Sequence, residues 1–219
     1  MIGGRREPGP VLVETGLVAI LRSRSGDRLA AACDALLDAG VRCLEITLNT
    51  PGALSVIGRL AGEARPGVEV GVGTVRRAVE VDAAADAGAT FVVAPNTDLE
   101  VGRRAEQRGL GWFPGALTPT EIALAWDLGA TAVKVFPAGS AGGPRYLREV
   151  RAPLDDVLLV PTGGVTVEDV PAYLQAGAVA VGMGSPLIGR ALEDDHDLGR
   201  LGERAAAALA AVQHARRGT

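Results

Sequence analysis

A chain of 219 residues, 47% hydrophobic and 22% charged, is the size of one α/β domain with material for a large core. Its formal net charge of −4 and the lack of a basic cluster interleaved with aromatics exclude a dedicated nucleic-acid binder. No apolar run of membrane-spanning length occurs, so no membrane association is expected.

The opening residues 1–8 contain no apolar stretch that reads as a secretory signal, and residues 1–15 are taken as an N-terminal extension. Residues 16–219 are read as one domain. Strands are expected over 17–21, 41–47, 68–73, 90–94, 110–113, 131–136, 157–161 and 178–183. Between them, a helical segment repeatedly ends in glycine and passes at once into an apolar run, at Gly40, Gly88, Gly109, Gly129 and Gly177. Helix starts support the same frame. Thr50-Pro51 and Thr118-Pro119 place a capping hydroxyl before a first-turn proline, Glu121 completes a box with Thr118, and Thr166 pairs with Asp169. An amphipathic helix over 197–215 closes the chain, with Leu198, Leu201, Leu209 and Val212 inward. This alternation predicts a single (β/α)8 barrel. A doubly wound sheet would carry a glycine-rich turn after its first strand, where Leu21-Arg22-Ser23-Arg24 stands instead. Cys33 and Cys43 fall in a helix and a strand, read as buried thiols of a cytoplasmic protein.

In such a barrel, chemistry gathers at the C-terminal ends of the strands. Those ends carry Arg22, Glu45, Thr47 and Asn49, Thr74, Pro95, Gly115, Lys134 and Phe136, then Thr162-Gly163-Gly164 and Gly184-Ser185. Lys134 is the only lysine among twenty-two Lys and Arg residues. Alternation along 132–136 turns Val133 and Val135 toward the helices and Lys134 inward. A lysine can shed its proton and act as a nucleophile where an arginine cannot. A structural ion pair is the plainer alternative. Glu45, flanked by Leu44 and Ile46, points inward by the same logic and is either an ion-pair partner or a proton-transfer group. The glycines after the last two strands leave backbone amides open to a phosphate, or simply make tight turns. The acidic run Glu193–Asp197 reads as a solvated linker, and no metal or cofactor is expected.

Six segments in order resemble 2-keto-3-deoxy-6-phosphogluconate (KDPG) aldolases and the related 4-hydroxy-2-oxoglutarate (KHG) aldolases. They are Leu44-Glu45-Ile46-Thr47, Gly71-Val72-Gly73-Thr74-Val75, Pro114-Gly115, Lys134-Val135-Phe136-Pro137, Pro161-Thr162-Gly163-Gly164-Val165 and Gly182-Met183-Gly184-Ser185. The resemblance spans residues 17–190 and implies a metal-free class I aldolase, trimeric, acting on a phosphorylated keto acid in sugar-acid catabolism. It implies Lys134 as the Schiff-base residue and Glu45 as the proton shuttle working through water. Thr74, Thr162 and Phe136 would line the pyruvyl end, with Pro95 added to the substrate-binding set. Gly163, Gly164, Gly184 and Ser185 would hold the phosphate. Asn49 stands where some members carry a carboxylate-binding arginine; Arg22 is the replacement expected here. Pro95-Asn96-Thr97 and Leu48-Asn49-Thr50 also resemble 6-phosphogalactonate aldolases, so both sugar configurations stay open. From another class, the rival is a phosphosugar isomerase or epimerase with Glu45 as base and no imine. A non-catalytic metabolite-binding barrel is the third reading.

Overall fold

The computed structural model describes residues 5–63 and 65–217, so residues 1–4 of the expected extension lie outside it. Helix α1 (Pro10–Thr15) precedes strand β1 (Leu17–Leu21), and α2 (Leu29–Asp38), β2 (Cys43–Thr47), α3 (Ala53–Gly62) and β3 (Glu69–Gly73) follow. Next come α4 (Ala78–Asp86), β4 (Phe91–Val93), α5 (Leu99–Gln107), β5 (Gly111–Phe113), β6 (Gly115–Ala116) and α6 (Pro119–Asp127). The chain continues through β7 (Val133–Val135), α7 (Gly143–Arg151), β8 (Leu159–Pro161) and α8 (Val170–Gln175). It ends in β9 (Val181–Met183), the single-turn α9 (Ser185–Ile188) and α10 (Asp195–Arg217).

The strands are parallel, in the orders β5-β4-β3-β2-β1-β9 and β6-β7-β8. β5 and β6 are two pieces of one barrel strand interrupted at Pro114, which has no N–H to give to a ladder. Backbone bonds join the two sets: Thr131 N–H donates to Trp112 O (2.8 Å), Val179 N–H to Leu159 O (3.0 Å), and Thr162 bridges Gly182. The result is the (β/α)8 barrel.

Several strands begin about two residues later than the apolar pattern suggests, because the helix endings take those residues. At Gly40, φ is +99°, the Gly40 N–H reaches Leu37 O, and Val41 N–H bonds back to Leu36 O at 3.0 Å. The same paired bonds recur at Gly88, Gly109, Gly129 and Gly177. This geometry satisfies the last helical carbonyls with the residue after the glycine, which therefore cannot yet join the sheet.

Two cores result from the strand alternation. Leu44, Ile46, Val133 and Val135 pack outward against the helices. Val18, Ile20, Cys43, Phe91, Val93, Phe113, Ala132 and Val160 fill the barrel itself, joined by Leu12 of α1. In α10, Leu201 and Val212 are buried while Leu198 and Leu209 pack partly covered against the outer core. The Thr118 box forms as expected, with Glu121 accepting from Leu117 and Thr118 N–H at 2.9 and 2.8 Å. Thr166 and Asp169 pair at 2.9 Å before α8. Thr50 does not cap α3, whose N-cap is Gly52; its hydroxyl is already bonded elsewhere. Both cysteines are free and buried, and burial pushes the Cys33 thiol up to about 12. No described helix is long and apolar enough to cross a membrane.

Candidate active site

β7 carries Lys134 between two fully buried valines, and its backbone N–H donates to Pro114 O at 2.9 Å. Across the barrel, β2 projects Glu45 at the same level, so Lys134 Nζ lies 4.0 Å from Glu45 Oε1. The two residues are only 7% and 2% exposed. Each charge therefore depends on the other for compensation, which a single desolvated ion would lack. Glu45 Oε1 has no hydrogen-bond partner among the described residues. That oxygen stays uncommitted as an acceptor.

Room for Glu45 comes from β3. A Cβ on Gly73 would stand 2.1 Å from Glu45 Oε1, while Gly73 itself has ordinary backbone angles. Gly73→Ala is thus expected to displace the carboxylate without straining the chain. Turnover should fall by about tenfold or more while the melting temperature moves by only a few degrees, as steady-state rates and calorimetry would record.

A cavity of about 440 Å³ opens above Lys134. Arg22, Phe136, Thr162, Gly163, Gly164, Gly184 and Ser185 line it together with Lys134. Gly163 and Gly164 have φ of +87° and +76°, a left-handed pair that side chains resist. A Cβ at Gly163 would also meet the Phe136 ring at 2.9 Å. The ring is 40% exposed and its centroid lies 5.3 Å from Lys134 Nζ. Glu45 sits below this cavity, beside a small void that Lys134 and Thr162 also border.

Arg22 extends from the end of β1, exposed, and its Nη2 donates to Thr74 Oγ1 at 3.2 Å. Thr74, at φ +63°, is the only non-glycine residue in the left-handed region among the described residues. Such strain collects where the surrounding structure imposes a direction on a side chain. The chain just after Arg22 is held by buried hydroxyls. Ser23 N–H donates to Thr50 Oγ1 (3.1 Å), Thr50 Oγ1 meets Thr47 Oγ1 (3.0 Å), and Thr47 Oγ1 donates to Leu21 O (3.3 Å). Removing the shared hydroxyl with Thr50→Val should cost about 1–3 kcal/mol, because a buried N–H loses its acceptor. Urea denaturation would measure that loss.

Pro95 lies apart from this cavity. It borders a groove of about 300 Å³ with Asn96, Thr97 and Gly115, separated by Phe136, which lines both spaces. In the acidic run near the C-terminus two carboxylates are paired, and from Asp195 onward the run is helical rather than a linker: Asp195 binds Arg28 at 2.5 Å, and Asp197 binds Arg204 at 2.9 Å. Those guanidinium bonds hold both carboxyls below the usual carboxylate range. Among the described residues, no group of three or more His, Cys, Asp and Glu is arranged to hold a metal. Two charged cavity residues were not anticipated as part of the site, Arg190 and Glu193. They lie beyond the last strand, in a segment where no alternation says which way a side chain faces.

A family model described as KDPG and KHG aldolase matches residues 10–203. The chain belongs to the KDPG and KHG aldolase family. Relatives include the 2-dehydro-3-deoxy-6-phosphogalactonate aldolase of Escherichia coli strain K12, 38% identical over 172 residues, covering 78% of this chain and 83% of that one. The 2-dehydro-3-deoxy-phosphogluconate aldolase of Pseudomonas aeruginosa is 38% identical over 181 residues, covering 83% and 81%. Among solved structures, the KDPG aldolase of Legionella pneumophila is similar at a TM-score of 0.81 and 25% identity, over 93% of this chain and 98% of that one. It is described as holding pyruvate captured at low pH as a covalent carbinolamine intermediate. These relatives are named as aldolases, and this aldolase is an aldehyde-lyase of the same family.

Proposed function

We propose that this aldolase cleaves KDPG to pyruvate and glyceraldehyde 3-phosphate through an imine on Lys134. The observation that carries this reading is the buried Lys134–Glu45 pair at 4.0 Å beneath a cavity of substrate size. The neutral Lys134 amine attacks the C2 ketone to give a carbinolamine, and loss of water leaves an iminium. Glu45, through a water, takes the C4 hydroxyl proton. The C3–C4 bond breaks, its electron pair passes into the iminium as an enamine, and the aldehyde departs. Protonation at C3 and hydrolysis of the imine release pyruvate and restore the amine. The carbinolamine captured in the Legionella relative supports the first step.

Arg22 and Thr74 receive the carboxylate, Phe136 and Thr162 bound the pyruvyl carbons, and the amides of Gly163, Gly164, Gly184 and Ser185 take the phosphate. Binding a group remote from the reacting carbons serves to place the C3–C4 bond over the lysine. Pro95, on the far side of Phe136, is read as shaping the neighbouring groove rather than contacting the keto acid. The galactonate epimer is the second reading, favoured by the Escherichia coli relative. We also read the enzyme as a cytoplasmic homotrimer, with residues 16–219 as its catalytic domain and no cofactor.

Borohydride reduction in the presence of pyruvate, followed by mass spectrometry, tests the imine. A permanent adduct on Lys134 is expected; its absence would overturn the reading in favour of imine-free isomerase chemistry. Rates on KDPG, its galactonate epimer and 4-hydroxy-2-oxoglutarate then rank the substrates.

A further inference from the structure

The cavity contains an arginine that aldol chemistry does not use. Arg190 follows α9, and its neighbour Gly189 donates its N–H to Ser185 O at 2.8 Å, which ties the segment to the proposed phosphate end. Its backbone is fixed, with Arg190 N–H donating to Asp197 Oδ2 at 2.6 Å. Arg204 grips that carboxylate with two bonds of 2.9 Å, and also donates to Leu187 O and Ile188 O at 2.7 and 2.8 Å. The Arg190 side chain, by contrast, is exposed and makes no hydrogen bond or ion pair among the described residues. Of the other nearby guanidiniums, Arg204 is committed to Asp197 and Arg28 to Asp195, and Arg22 is the one assigned above to the substrate carboxylate.

A phosphate monoester carries nearly two negative charges at neutral pH. Glycine amides supply dipoles to it but no counter-charge. A guanidinium on an anchored backbone supplies both charge and paired donors. We propose that Arg190 is the counter-charge of the phosphate end and sets the preference for phosphorylated over unphosphorylated keto acids. This rests on the substrate site proposed above, so its test includes a readout independent of aldol cleavage.

Calorimetric titration with glycerol 3-phosphate should show binding to the unaltered enzyme and an affinity about tenfold or more weaker in Arg190→Gln, with Arg190→Lys recovering part of it. In turnover, Arg190→Gln should raise KM for the phosphorylated keto acid. The ratio of its kcat/KM to that of the dephosphorylated compound should fall by about tenfold. A merely structural role would lower both substrates alike and leave the ratio unchanged, which would overturn the proposal. Absence of glycerol 3-phosphate binding, or equal affinity in both proteins, would also overturn it. Failure of the pyruvate adduct at Lys134 would sink the aldolase mechanism alone, and Arg190-dependent phosphoester binding would still stand.

Discussion

Lys134→Arg is expected to abolish turnover, by at least about 10⁴-fold, and to eliminate the borohydride-trapped pyruvate adduct. The substitution keeps a positive charge facing Glu45, so an ion pair whose purpose is structural would survive it. What it removes is an amine able to lose a proton and form a carbon–nitrogen double bond. Lys134→Ala is less discriminating, because it leaves the Glu45 carboxylate, 2% exposed, without its partner. Loss of one member of a buried pair costs about 3–5 kcal/mol and confounds chemistry with folding. Thermal melting of the arginine variant alongside the kinetics separates the two effects. Turnover within tenfold of the unaltered enzyme would refute an imine mechanism outright.

Glu45→Gln is expected to lower kcat by about 10²–10⁴-fold, the range for removing a positioned acid–base group. Glutamine preserves the shape that fits beside Gly73, where the carboxylate has so little clearance that even a methyl would collide. It cannot carry the proton between substrate, water and enamine. Exchange of the pyruvate methyl protons into deuterated water reports the enamine step alone and should slow in parallel. Exchange at the original rate would show that another group moves the proton.

Much of this site was legible as pattern. Period-two alternation assigned Lys134 and Glu45 to the barrel interior, and the inward set Cys43, Ala132 and Val160 fills it as alternation requires. The glycine endings marked five of the helix-to-strand junctions in order, because a left-handed residue at a helix terminus is a local requirement. Strand starts were less legible. The residue after each glycine is apolar enough for a strand, yet its N–H is bonded back into the helix.

Interactions that depend on barrel closure were not legible. Thr50 looks like a helix cap beside Pro51, but the β1 and β2 ends bring Ser23 and Thr47 to its hydroxyl first. Pro95 sits at a strand end like the others, yet the exposed Phe136 ring divides its groove from the main cavity. Arg190 carries no motif, and only the Asp197–Arg204 frame brings it to the cavity wall.

The sequence alone determined the alternation, the helix endings and the placement of one lysine where every other strong base is arginine. Those are local properties, set by side-chain period and backbone sterics within a few residues. The tertiary structure decided that Lys134 meets Glu45 at 4.0 Å, that Gly73 makes space for the carboxylate, and that Arg190 faces the same cavity as the glycines. Distances between non-adjacent strands follow from register and closure, which no single segment encodes.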